Sequence, residues 1–126
     1  MLKIILLTGS GGFLGTVARF LTSRYFQSLF LSAFPYGTFV VNVLGCFLVG
    51  IIYGTSVKGN ILNAEWILFL TVGFCGGFTT FSAFAGENLA LLRDGNFFYF
   101  SIYAGLSVFL GLLATFLGSV LVTKIF

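Results

Sequence analysis

Histidine is absent from this chain, proline occurs once, and only 7% of its 126 residues are charged. A typical soluble domain is about a quarter charged, so the scarcity excludes a soluble enzyme. With no histidine, two separated cysteines and three acids, the chain lacks the donors for a transition-metal site. A GxxxxGK[ST] phosphate loop is missing too, and with it a nucleotide-driven pump. Cys46 and Cys75 both fall in apolar runs, where a thiol behaves as a small apolar side chain. No disulfide is expected, and the cysteines say nothing about compartment. A net charge of +3 from six basic and three acidic residues defines no acidic partner, nucleic acid included.

What the sequence does hold is apolar surface: 59% hydrophobic residues, eighteen phenylalanines and seventeen glycines. A spanning helix needs roughly 20 mostly apolar residues, so four spans take about 80 and leave no room for an extramembrane domain. The pattern predicts a single four-helix membrane domain over residues 1–126, with spans at about 2–22, 36–55, 64–92 and 97–122. The first resembles a signal peptide only at its start. It continues past Arg19 without a clear cleavage site, so it reads as a retained helix. Pro35 opens the second span, where its missing N–H costs little. Asp94-Gly95-Asn96 is a turn signal, and Trp66 and Tyr36 stand near span ends, as interfacial rings do.

The third segment is too long for a straight crossing. Its 29 residues at ~1.5 Å each would measure about 43 Å against a hydrocarbon core of about 30 Å. Its centre, residues 73–82, reads GFCGGFTTFS, a poor helical stretch, and a break is expected there. Backbone freed from a helix at membrane depth survives only beside protein or a polar cavity, which makes the break the first candidate site. A simple glycine kink for close packing is the plainer alternative. Glycines four apart (Gly11 and Gly15, Gly50 and Gly54, Gly73 and Gly77) favour close helix approach. Helices so close leave little interior in one copy, so a transport path is expected between subunits.

With four spans, both termini share a side. Lys3, Lys58 and Lys124 then face one side and Arg19, Arg24 and Arg93 the other, with Arg19 weakening the count because it falls within the helix end and can snorkel outward. Orientation is normally set by an excess of lysine and arginine in cytoplasmic loops, and here none exists. The expected outcome is insertion both ways and an antiparallel, dual-topology homodimer.

Several polar or aromatic residues in the spans need a role. Asn42 lies in mid-span with Thr38 one turn before it; a buried amide in hydrocarbon is either interhelical glue or part of a pathway. Phe81 and Phe84 are three apart and share a helix face. Their positive ring edges can stabilise an anion without trapping it, with Ser82, Thr80 and Asn42 as hydrogen-bond donors. Packing is the plainer role for any single phenylalanine. Glu87 suits either a proton relay or a wet vestibule near Arg93. Tyr103 and Ser107, four apart in the last span, can line the interior as hydroxyl donors or simply pack.

Taken together, these residues resemble the Fluc, or CrcB, fluoride channels over essentially the whole chain. The likeness rests on GGFLGTVAR at 11–19, GTFVVNVLG at 37–45 and, most specifically, GFCGGFTTFSAF at 73–84. The resemblance implies a multi-pass protein of the bacterial cell (inner) membrane, an antiparallel homodimer with two fluoride pathways and a structural sodium ion at its centre. It assigns the sodium to the backbone carbonyls of Gly76 and Thr79 from both copies. The phenylalanine box maps to Phe81 and Phe84, the pore asparagine to Asn42, and flanking positions to Ser82, Thr38 and Tyr103. Ala83 departs from the family's usual hydroxyl residue and removes one polar contact. The implied activity is passive, selective export of cytoplasmic fluoride, not catalysis. Fluoride is small and strongly hydrated, so a narrow dry passage must replace its water with close donors while several weak sites let it leave. The alternative from another class is a proton-coupled exporter resembling the small multidrug transporters. Those use a carboxylate in the first span, where this chain has none, so the role would fall to Glu87. A non-transporting assembly subunit leaves the joint occurrence of the break, Asn42 and F-x-x-F unexplained.

Overall fold

A computed structural model describes residues 1–59 and 61–125, so Asn60, in the 56–63 connection, and Phe126 lie outside it. The described residues form helices and no strand. Four helical spans are long and apolar enough to cross a membrane: Leu2–Ser28, Tyr36–Lys58, Ala64–Arg93 and Phe97–Ile125. The helices are α1 (Leu2–Ser28), α2 (Tyr36–Lys58), α3 (Ala64–Leu68), α4 (Gly76–Phe78), α5 (Phe81–Arg93) and α6 (Phe97–Val120). A π-helical stretch, Phe69–Cys75, joins α3 to α4, and a second, Leu121–Ile125, follows α6.

Local chemistry sets the helix ends. After α1 the chain turns back through Phe34, and Gln27 secures the turn. Its Nε2 donates to Phe34 O at 3.2 Å, while its Oε1 accepts from Gly37 N at 3.1 Å, satisfying an otherwise orphan donor at the start of α2. Asn63 caps α3 by accepting from Trp66 N at 2.9 Å. The expected turn between the last two spans is present: Gly95 takes φ +73°, a conformation that costs glycine little, and Asn96 N closes back onto Leu91 O.

Glycine brings the helices together. A Cβ on Gly11 would meet Phe69 O at 2.6 Å, one on Gly77 would meet Gly12 O at 2.5 Å, and one on Gly15 would overlap Phe74 O. These contacts lock α1 against the third span. On the other side α2 and α6 form the most extensive helix pair, with Gly50 against the Thr115 carbonyl and Gly118 against that of Phe47. Backbone-to-backbone approach of this kind is how helices gain dispersion energy where lipid supplies no hydrophobic drive. Large apolar side chains such as Phe13, Phe109 and Phe116 are more than half exposed. They suit a bilayer as solvent, and an inner hydrophobic cluster of Phe34, Leu91 and Tyr103 anchors one end.

The interruption of the third span is narrower than its composition suggests. Gly73, Gly76 and Gly77 all remain helical, and helix is lost only at Thr79 (φ −89°, ψ 158°) and Thr80 (φ −152°, ψ 118°). The glycines serve the close approach to α1, whereas the threonines carry hydroxyls that compete for backbone partners. Thr79 Oγ1 donates to Cys75 O at 2.9 Å, and Thr80 Oγ1 accepts from Ala83 N at 3.1 Å, capping α5. Arg19 drops out of the charge tally. It lies well inside α1, and its Nε donates to Gly77 O at 3.1 Å. It therefore serves the break, not a loop, and the loop balance becomes Lys3, Lys58 and Lys124 against Arg24 and Arg93.

Candidate functional site

Asn42 holds the break together. Its Nδ2 donates to Thr80 O at 3.1 Å and its Oδ1 accepts from Thr80 N at 2.9 Å. One amide thus satisfies both backbone groups of the residue at which helix is lost, as hydrocarbon requires. A consequence follows for two neighbouring carbonyls. In a continuous helix Thr80 N–H would serve Gly76 O and Ala83 N–H would serve Thr79 O. Here those donors go to Asn42 Oδ1 and Thr80 Oγ1. Gly76 O and Thr79 O are released from helical duty, and oxygen ligands of this kind suit a hard cation.

Beside the break runs a groove of about 310 Å³. Asn42, Thr79, Thr80, Phe81 and Phe84 line it from one side, Ser107, Val108 and Thr115 from α6, with Cys46 and Val49 along α2. Phe81 is 79% exposed. Its ring centroid lies 5.6 Å from that of Phe84, with the planes 42° apart. Ring edges carry partial positive charge, so this pair presents weak, non-ionic attraction to an anion in the groove. Of the residues expected from the sequence, Asn42, Thr79, Thr80, Phe81, Phe84 and Ser107 meet here.

The others lie elsewhere. Ser82 is exposed and its Oγ sits 3.3 Å from Thr80 Oγ1. Thr38 and Tyr103 belong to an inner cluster past Phe84, whose ring is 5.0 Å from that of Tyr103. Thr38 Oγ1 donates to Glu87 Oε1 at 2.5 Å. Tyr103 is fully buried, and among the described residues its hydroxyl has no hydrogen-bond partner. Phe84 therefore touches both the groove and this cluster, which connects them into one line of polar and aromatic groups. Asn88, the only buried residue of polar or charged type among those described, leaves its Oδ1 unpaired in the same helix.

Sequence reasoning overlooked the capping role of Thr80, the pairing of Thr38 with Glu87, and Cys46 and Thr115 as groove walls. Spacing carried the signal for the last two. Cys46 is one turn beyond Asn42, and Thr115 continues the four-residue series of Tyr103 and Ser107.

A model of the family described as CrcB-like protein, Camphor Resistance (CrcB), matches residues 6–119, which span the break, Asn42 and both phenylalanines. The chain belongs to the CrcB-like family. Among its relatives, a protein of Azobacteroides pseudotrichonymphae named fluoride-specific ion channel FluC is 46% identical over 121 residues, 96% of this chain and 97% of that one. A protein of the same name from Flavobacterium psychrophilum is 41% identical over 98% of this chain and all of its own length. One from Bacteroides fragilis is 46% identical over 95% and 96% of the two chains. The CrcB-like likeness thus covers the whole arrangement of spans and not a fragment of it.

Proposed function

We propose that the chain is a fluoride-selective ion channel of the bacterial cell membrane, through which cytoplasmic fluoride leaves passively, giving fluoride resistance. The observation that carries this reading is the groove beside the break, where the Asn42 amide and the Phe81 and Phe84 ring edges meet without a positively charged side chain. A fixed cation would hold so small an anion too tightly for conduction, whereas amide, hydroxyl and ring-edge groups attract it weakly and in series. The ion enters beside Asn42 and Thr80, passes the two rings, and meets the Thr38 and Tyr103 hydroxyls beyond Phe84. Larger anions are excluded by the bore. In the isolated protomer the groove is open along its side, so the passage is completed by a second copy.

That second copy is antiparallel in this reading. The loop charges differ by one, three lysines against two arginines, which gives insertion little preference between orientations. The carbonyls of Gly76 and Thr79, freed at the break and contributed by both copies, are the neutral oxygens that would hold a structural sodium ion. Such an ion would supply positive charge between the two breaks, and Asn42 and Thr80, by taking the donors that would otherwise serve those carbonyls, keep them free.

The experiment is efflux from liposomes containing the purified protein, read with a fluoride electrode and a chloride electrode. Rapid fluoride release with negligible chloride release is expected, and equal release of the two ions refutes selective conduction. Glu87→Gln separates the channel from the proton-coupled exporter. The carboxylate serves Thr38 and carries no proton cycle in a channel, so fluoride release persists without a proton gradient; an exporter loses transport.

A further inference from the structure

Arg19 brings a positive charge to the break. Its Nε donates to Gly77 O at 3.1 Å, and the side chain is half-buried. In a continuous helix Phe81 N–H would serve that carbonyl, but helix restarts only at Phe81, and the guanidinium takes the vacant place. Among the described residues the one ion pair joins Lys3 to Glu65, so the charge of Arg19 has no carboxylate beside it. The other two acids are engaged elsewhere: Glu87 accepts from Thr38, and Asp94 stands at the far end of α5. An unneutralised charge at membrane depth is costly and marks function. A neutral donor would serve the Gly77 carbonyl as well, so the charge itself calls for a reason.

We infer that Arg19 restricts the freed carbonyls of Gly76 and Thr79 to a monovalent cation. The inference rests on the sodium reading above and adds to it the residue that sets the valence. Two consequences of the contact carry it. First, Gly77 O, next in the chain to Gly76 O, already holds a donor and is withdrawn from any ligand set, whereas calcium takes six to eight oxygens, carboxylates among them. Second, a fixed unit charge repels an ion in proportion to that ion's own charge. Whatever factor the guanidinium costs a monovalent ion in affinity, it costs a divalent ion the square of that factor. Neutral carbonyls with no carboxylate beside them have nothing to offset this.

The test is thermal unfolding of the purified full chain in detergent micelles, prepared free of metal ions, with sodium or calcium chloride titrated at an ionic strength held constant by N-methylglucamine. Sodium should raise the unfolding temperature of wild type, and calcium at equal concentration should not. Arg19→Lys keeps the charge and should keep that order of the two ions. Arg19→Gln keeps a donor and loses the charge. It should unfold earlier without cations, yet its half-point for sodium should fall by about threefold and that for calcium, as the square, by about tenfold. Calcium acting on wild type or on Arg19→Lys at the same concentrations as sodium overturns the inference, as does Arg19→Gln moving both half-points by one factor. If Arg19→Gln does not fold, the order of the two ions in wild type and Arg19→Lys decides alone. A wild type indifferent to both ions while still releasing fluoride from liposomes would refute the sodium reading and the inference with it. Absence of fluoride release would instead refute the channel reading, so the failures are distinguishable.

Discussion

Replacing Asn42 by alanine removes the two hydrogen bonds that stabilise the broken backbone. Both are to one residue, Thr80, at 2.9 and 3.1 Å. Each buried backbone group left without a partner costs about 1–3 kcal/mol, so the pair costs about 2–6 kcal/mol. The upper part of that range applies if the site stays dry, because lipid offers no substitute. One escape exists: Thr80 N–H can return to Gly76 O and rebuild a helical turn. That recovers part of the energy but recaptures one of the two freed carbonyls, so the fold is rescued at the expense of the site. Asn42→Ala should therefore unfold at lower denaturant in mixed micelles by at least about 2 kcal/mol and lose fluoride release. Asn42→Asp, which keeps the acceptor for Thr80 N–H and loses the donor to Thr80 O, should retain more stability than alanine. A stability of Asn42→Ala within about 0.5 kcal/mol of wild type, the range of neutral surface changes, would refute the assignment of Asn42 as the brace of the break.

Phe81→Ala should separate function from stability: a side chain 79% exposed changes unfolding by no more than about 0.5 kcal/mol in the protomer, yet fluoride release falls to background. Gly15→Ala should destabilise by about 1–3 kcal/mol through overpacking, since its Cβ meets the Phe74 carbonyl. Gly9→Ala, with open space around it, should be neutral in the same melt. Arg19→Gln removes the charged donor to Gly77 O and should cost about 1–3 kcal/mol; Arg19→Lys should recover part of it. Equal melting of Arg19→Gln and wild type would show that the guanidinium does not support the break. Lys3→Ala breaks the ion pair with Glu65, whose groups are 71% and 54% exposed, and should change stability by less than about 1 kcal/mol.

Much of the architecture was legible because a bilayer imposes strong rules on composition. Apolar run length alone located four helices, since nothing shorter or more polar crosses hydrocarbon. Glycines at four-residue spacing announced close packing, and Gly11, Gly15 and Gly77 do press against backbone. The place of the break was less legible. Composition pointed to the whole of 73–82, which contains the break but not its position within the stretch, because the low helix propensity of the glycines was overridden by the tertiary contact that needs them. The two threonines won because each has a hydroxyl able to take a backbone partner and because Asn42, 38 positions away, was at hand. The partner of Arg19 was hidden for a related reason: a count of charges along the chain cannot reveal that a guanidinium has found a carbonyl 58 positions later.

By itself the sequence determined the solvent of this protein, the number of its crossings, its family and the identity of the aromatic pair, all properties of local pattern and side-chain type. Only the tertiary structure decided what Asn42 and Arg19 hold and which two carbonyls are set free. These are partnerships across different helices. Their energies depend on distances of about 3 Å, which packing sets and no spacing within one helix encodes.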